Sequence, residues 1–219
     1  YKSALSLIED IKESYIERAS RTDFIFKKAY CNMRAGKQDV AIELYRKILN
    51  GRYSQYTIPS TYYLGFVYYR QKNFAEASPL FEECFDDSRF SLMSRYYALE
   101  CRFLQKDYNY VIANGAALMP ELERDLQSNL ARILSEAYYA DGQPGMAQKY
   151  LDVFKQSGTA LSRKDHYFSG ILSYSLNSYQ DALDSFERVI GVDDDLSQNA
   201  YYYGANSYLQ IRNKIKAME

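Results

Sequence analysis

Small residues return at a nearly fixed interval along this chain, and that interval dictates the fold. One series runs Ala4, Ala41, Ala77, Val111, Ala147 and Ala182, at steps of 37, 36, 34, 36 and 35. A second runs Ala29, Gly65, Leu99, Ser135, Gly170 and Gly204, at steps of 36, 34, 36, 35 and 34. Apolar residues follow the first series four places on (Ile8, Tyr45, Phe81, Leu151, Phe186) and seven places on (Ile11, Ile48, Cys84, Leu118, Phe154, Val189). A small residue followed at +4 and +7 by larger apolar ones is a single face of an α-helix. Two such helices and a short turn within a period of about 34 residues form the repeating unit of a helical solenoid.

Composition agrees with helices and narrows the function. Gly (10) and Pro (4) are too few for a turn-rich all-β chain, and the 47% apolar fraction excludes wholesale disorder. Lys and Arg (27) balance Asp and Glu (28) without a basic stripe, so nucleic acid is not an expected partner. No run in these residues is long or apolar enough for direct membrane insertion and none reads as a signal peptide, while the start at Tyr1 without a Met leaves room for a removed leader or anchor. Cys31, Cys84 and Cys101 form no CxxC and fall in helical patterns, which reads as three small buried apolar residues. This usage does not decide the compartment; bacterial cytoplasm and periplasm both fit. The unusual number is 24 Tyr against no Trp, since Tyr is not a favoured helix former and must serve packing or contact.

Leu64-Gly65, Tyr68, Phe74, Ala77 and Phe81 carry a family resemblance, as do Leu134, Ser135, Tyr138, Ala147 and Leu151, and again Gly170, Tyr179, Ala182 and Phe186. In this spacing the chain resembles the tetratricopeptide repeat (TPR) family, over essentially its whole length and with degenerate repeats. The family's helix-opening Trp is replaced by Ile25, Thr61, Arg95, Ala131, His166 and Ala200. The resemblance implies an all-α, right-handed solenoid of antiparallel helix pairs, a TPR-like superhelix of about 12 helices. The expected layout is a single array over 1–219, with full repeats at 22–57, 58–91, 92–127, 128–162 and 163–196. Residues 1–21 then hold the second helix of a partial repeat (helical over 1–18), and 197–219 the first helix of another. Neither end carries a polar cap, so the chain reads as a slice of a longer bacterial array, with self-association through uncapped ends as a further expectation.

The third repeat departs from the pattern, with Leu99 at the small site and Gly115 at the bulky one. Either Leu99 fills the room Gly115 vacates, or the layer is weakly packed.

In TPR arrays the first helices line the concave wall, which implies where a partner would lie. If Leu64, Gly65 and Tyr68 face their own second helix, then Tyr62, Phe66 and Tyr69 form an i, i+4, i+7 stripe turned to the groove. The same offsets give Phe26, Tyr30 and Met33; Tyr96, Glu100 and Phe103; Arg132, Glu136 and Tyr139; Tyr167, Ile171 and Tyr174; and Tyr201, Ala205 and Tyr208. The aromatic members make a double ladder suited to an extended peptide or an amphipathic helix, unless the rings only stack on one another and build the wall. The Lys, Asn and Arg positions of the family's carboxylate clamp are occupied by rings, so such a clamp is disfavoured. His166 stands at a helix-opening position, and Asp193-Asp194-Asp195 reads as a helix-capping run. No phosphate loop, nucleophile elbow or metal-ligand cluster is present, so neither enzymatic activity nor a cofactor is expected. The reading is a non-catalytic scaffold or adaptor that holds a protein or peptide. The alternatives are the sensory or regulatory arm of a larger signalling protein or enzyme, and a carbohydrate-binding module.

Overall fold

The computed structural model describes residues 6–8 and 11–218. Among them the fold is all-helical, with eleven bounded α-helices: α1 (Arg21–Arg34), α2 (Gln38–Leu49), α3 (Thr57–Arg70), α4 (Phe74–Glu82), α5 (Ser91–Leu104), α6 (Tyr108–Leu118), α7 (Arg124–Ala140), α8 (Pro144–Gln156), α9 (Arg163–Ser175), α10 (Tyr179–Phe186) and α11 (Asp195–Gln210). Residues 6–8 are also helical, and two 3-10 turns lie at Glu13–Tyr15 and Met119–Glu121.

The chain divides into two compact units, Tyr1–Asp107 and Tyr108–Glu219. In each, every helix packs on the next in sequence, and alternate helices also meet, as α1 does α3 and α9 does α11. The division falls in the turn of the third repeat, so α5 and α6 belong to different units.

One turn, made six times, folds the helices back. A residue with positive φ follows each first helix: Gly36, Lys72, Lys106, Gly142, Asn177 and Arg212. Its N–H donates to the carbonyl three residues back (2.9–3.2 Å), and the next N–H donates to the carbonyl five residues back (2.8–2.9 Å). These bonds satisfy carbonyls that a helix end leaves without partners. At Lys72, Lys106 and Arg212 the turn forms despite the steric penalty of a left-handed side-chain-bearing residue, so tertiary packing dictates the conformation.

Beyond the turns, the two small-residue series make the core. Ala29, Ala41, Gly65, Ala77, Val111, Ser135, Ala147, Gly170 and Ala182 are all buried, with Tyr45, Phe81, Leu151 and Phe186 beside them. The contacts are close: a Cβ on Gly65 would lie 3.3 Å from Phe81, and one on Gly170 only 2.5 Å from Phe186. The three cysteines are buried and unpaired, and burial pushes the Cys84 and Cys101 thiols up to about 12, which leaves them unreactive.

Two expectations change. The N-terminal helix does not continue to residue 18, because residues 11–20 contain only a 3-10 turn, a bend and a turn at 18–20; Ala4 lies outside the described residues. Tyr15 is 77% exposed and Ile11 39%, so this stretch buries too little apolar surface to hold a helix. At Gly115 the vacant room is taken by Leu134 of α7, whose Cδ2 would lie 2.8 Å from an added Cβ. That layer is filled from the following repeat. Among the described residues no helix is long and apolar enough to cross a membrane.

Candidate functional site

The expected ring ladder serves different ends in the two units. In the first, Phe26 and Tyr30 (α1), Tyr62, Phe66 and Tyr69 (α3) and Tyr96 and Phe103 (α5) lie where the offsets place them, and all but Tyr96 are half-buried. Two rings that the offsets miss, Tyr63 and Tyr97, lock them together. Tyr63 stands 6.0 Å from Phe26 and 5.1 Å from Tyr30, while Tyr97 stands 5.5 Å from Phe66, 5.1 Å from Tyr69 and 5.3 Å from Phe81. Tyr62 is covered in turn by Phe81 and Phe90. Tyr96 is only 3% exposed, so it offers no contact surface and is corrected to a core residue. Its hydroxyl and that of Tyr69 both donate to Glu100, at 3.0 and 2.8 Å. These rings largely fill one another's space.

The second unit keeps an open groove. Arg132, Glu136 and Tyr139 of α7, Tyr167, Phe168 and Ile171 of α9, and Leu196 and Tyr203 of α11 line a hollow of about 610 Å³, with Ser162, Lys164 and Asp165 at its edge. Phe168 and Tyr203 link neighbouring first helices as Tyr63 and Tyr97 do, with Phe168 at 5.7 Å from Tyr139 and Tyr203 at 5.4 Å from Tyr174. The linking residues Tyr63, Tyr97 and Phe168 each stand two places before the small site (Gly65, Leu99, Gly170), a periodicity legible in the sequence.

Tyr201 and Tyr208 do not join this groove. The left-handed turn residue follows the small site by seven places in the earlier repeats, as Asn177 follows Gly170. Seven places before Arg212 is Ala205, one beyond Gly204, so the last first helix is a residue longer between core and turn. The extra residue rotates the expected stripe by about 100°. Tyr201, Ala205 and Tyr208 therefore share the side that a second helix covers in full repeats, facing a separate hollow of about 660 Å³ beside Phe186, Ile190 and Met218. Tyr203 takes the linking place.

Electrostatically the groove is balanced. Arg132 donates to Glu136 at 2.6 Å and to Asn129 at 3.0 Å. Burial raises the Glu136 carboxyl above its ordinary range, with Arg132 opposing. Asp165 closes the capping box of α9, accepting from the Ser162 backbone N–H at 2.8 Å while its own N–H donates to the Ser162 hydroxyl at 3.3 Å. The Tyr139 and Tyr167 phenols are raised first by burial and then by the Tyr203 phenol.

Elsewhere, Asp194 caps α11, accepting from the Ser197 N–H at 2.9 Å and pairing with both Arg163 Nη atoms at 2.8 and 2.9 Å. His166 is half-buried, with burial lowering its pKa. A polar cleft of about 520 Å³ on α8, α9 and α10 contains Asp152, Lys155, Asp181 and Asp184. Among the described residues no group of three His, Cys, Asp or Glu could hold a metal ion.

Two family models, both described as tetratricopeptide repeat, match residues 60–89 and 23–50. Solved structures share the fold at low identity. One described as "MamA RS-1 ArsTM double mutant" is 14% identical, with a TM-score of 0.66 over 77% of this chain and 92% of that one. PilW, described as a widely conserved type IV pilus biogenesis factor, is 17% identical, with a TM-score of 0.65 over 91% and 90%. A Rap protein complexed with competence and sporulation factor is 11% identical, with a TM-score of 0.54 over 99% and 77%. No curated protein matches the chain significantly.

Proposed function

We propose that this chain, a tetratricopeptide-repeat protein, is a non-catalytic interaction scaffold that holds a protein segment in the groove of its second unit. The observation that carries this reading is the groove itself: three successive first helices, α7, α9 and α11, contribute rings, aliphatic surface and an ion pair to one hollow of about 610 Å³. Such a mix of apolar area and a few fixed polar groups is what a recognition site needs. The Rap protein structure with its factor gives a chain of like fold that holds a partner. The interlocked rings of the first unit fit a supporting role, since removing Tyr62 or Tyr69 would break contacts with Phe81, Phe90, Phe74 and Tyr97.

The test compares what three proteins retain from an extract of the source cells. Ile171→Arg puts a charge on the groove floor, and Asp152→Arg changes charge on the outer face. Partners held by the parent should be lost on Ile171→Arg and kept on Asp152→Arg, with unchanged far-UV circular dichroism for both. Equal retention by all three would refute the groove as the working face.

A further inference from the structure

The groove's hydrogen-bonding inventory narrows the kind of segment it accepts. Tyr139, Tyr167 and Tyr203 all line the hollow, and among the described residues none of their hydroxyls has a hydrogen-bond partner. Burial, and after it the neighbouring Tyr203 phenol, raises the Tyr139 and Tyr167 phenols, so these two stay hydroxyl donors. The charged groups are largely committed, Arg132 to Glu136 and Asn129, and Asp165 to the α9 cap. Lys164 is left exposed at the rim. The site therefore presents aromatic faces, aliphatic Ile171 and Leu196, and hydroxyl donors over a floor of near-zero net charge.

Three ligand classes make different demands on such a surface. An α-helix satisfies its own backbone, so its main chain would cover the three hydroxyls without pairing them, and each desolvated donor left without an acceptor weakens binding. A β-strand needs acceptors for its N–H groups, and both carboxylates of the groove are already engaged, Glu136 by Arg132 and Asp165 by the α9 cap. A polyproline II segment has no internal hydrogen bonds, leaves its carbonyls outward and, where it is proline, has no N–H to satisfy. It asks for donors and flat apolar surface. Its turn advances about 9 Å per three residues, on the order of the 8–10 Å between packed helices such as α9 and α11. Its preformed backbone also loses little entropy on binding.

We propose that the groove formed by Tyr139, Tyr167, Phe168, Ile171 and Tyr203 binds a proline-rich, uncharged segment of a partner protein in the polyproline II conformation. The segment's rings lie on the tyrosine and phenylalanine faces, and its carbonyls accept from the three phenols. This rests on the groove being the working face, and the experiment separates the two claims.

The probe is an end-blocked twelve-residue (Pro-Pro-Ala)n peptide, titrated into the intact chain and followed by amide and methyl NMR shifts around Ile171 and by calorimetry. Its competitors are a peptide of equal length with every proline replaced by alanine, and an amphipathic helical peptide. The expected result is saturable binding by the proline peptide, at least about tenfold weaker binding by the alanine peptide, and a comparable loss in the triple variant Tyr139→Phe, Tyr167→Phe, Tyr203→Phe, which keeps the rings and removes only the hydroxyls. Equal binding by the alanine peptide, or no effect of the triple variant, overturns the proposal. If only the helical peptide moves the Ile171 region, the groove reading stands and the polyproline assignment falls. If no peptide moves that region and Ile171→Arg loses no cellular partner, both fall.

Discussion

Replacing Gly170 by alanine tests the close helix approach on which the repeat depends. Taken alone, the substitution should stabilise α9, because alanine is favoured over glycine in a helix interior by about 1 kcal/mol. Packing opposes this. The new Cβ would lie 2.5 Å from Phe186 Cε1, 2.7 Å from Cδ1 and 2.8 Å from Cζ, whereas carbon atoms in contact sit at about 3.5–4.0 Å. The ring must retreat by roughly 1 Å, yet Phe186 is 2% exposed and bordered by Tyr167 at 6.1 Å and Tyr203 at 6.2 Å. Overpacking of this kind costs about 1–3 kcal/mol, and three short contacts place the site at the upper end. The net expectation is a loss of about 1–2 kcal/mol, or a Tm lower by roughly 2–8 °C for a chain of this size. Gly145 is the control in the same unit, because its Cβ would meet nothing within 4 Å. Gly145→Ala should raise stability by about 0.5–1 kcal/mol. Urea unfolding followed by far-UV circular dichroism reads both. If Gly170→Ala is as stable as Gly145→Ala, the close contact between α9 and α10 is not what holds this layer.

Other outcomes follow from the same geometry. Lys72 has φ of 60° in its turn, so Lys72→Gly should stabilise the chain by about 0.5–1 kcal/mol, and Gly142→Ala (φ 76°) should destabilise it by a similar amount. Opposite shifts in urea midpoint would confirm both, and shifts of the same sign would refute the shared turn. The paired Arg163 guanidinium and the Ser197 N–H hold the Asp194 carboxyl well below the usual carboxylate range. Its contribution is therefore present above the unfolded value of about 4 and is lost as pH falls toward the folded one. Asp194→Asn should thus show a smaller drop in urea midpoint between pH 6 and pH 3 than the parent, and an equal drop would contradict the pairing. Because the groove's charges are balanced internally, affinity for its ligand should change less than about threefold between low and high salt. A steep salt dependence by calorimetry would instead indicate ionic recognition.

Much of this architecture is legible in the residues. A small residue repeating every 34 to 37 places, with larger apolar partners at +4 and +7, identifies the buried faces. Helical geometry alone converts that spacing into direction. From Ala29 onward the small-site series proves buried, and Asp194 caps a helix as its place in an acidic run suggested. The expected stripe meets the open groove at Tyr139 and Tyr167 but falls in the core at Tyr96. On the last helix it misses the groove, because it counts from Gly204 whereas the turn at Arg212 sets the register from Ala205. An insertion inside a helix leaves no local mark on composition, and it becomes visible only when the turn's position is known.

What spacing could not supply is whether a ring is surface or wall. Tyr69 and Tyr139 hold the same place in their repeats, yet Tyr69 is enclosed by Phe66, Phe74 and Tyr97, whereas Tyr139 meets Phe168 at the edge of an open hollow. That difference depends on neighbours about thirty residues away, whose size decides how much space is left. The filling of the Gly115 layer by Leu134 is of the same kind. By itself the sequence determined the helices from α1 onward and their buried faces, because these follow from local geometry and periodic burial, whereas the left-handed turns at Lys72, Lys106 and Arg212 needed tertiary packing. The tertiary structure alone decided which part of the aromatic ladder remains open, because openness depends on the volume left between side chains brought together from separate repeats.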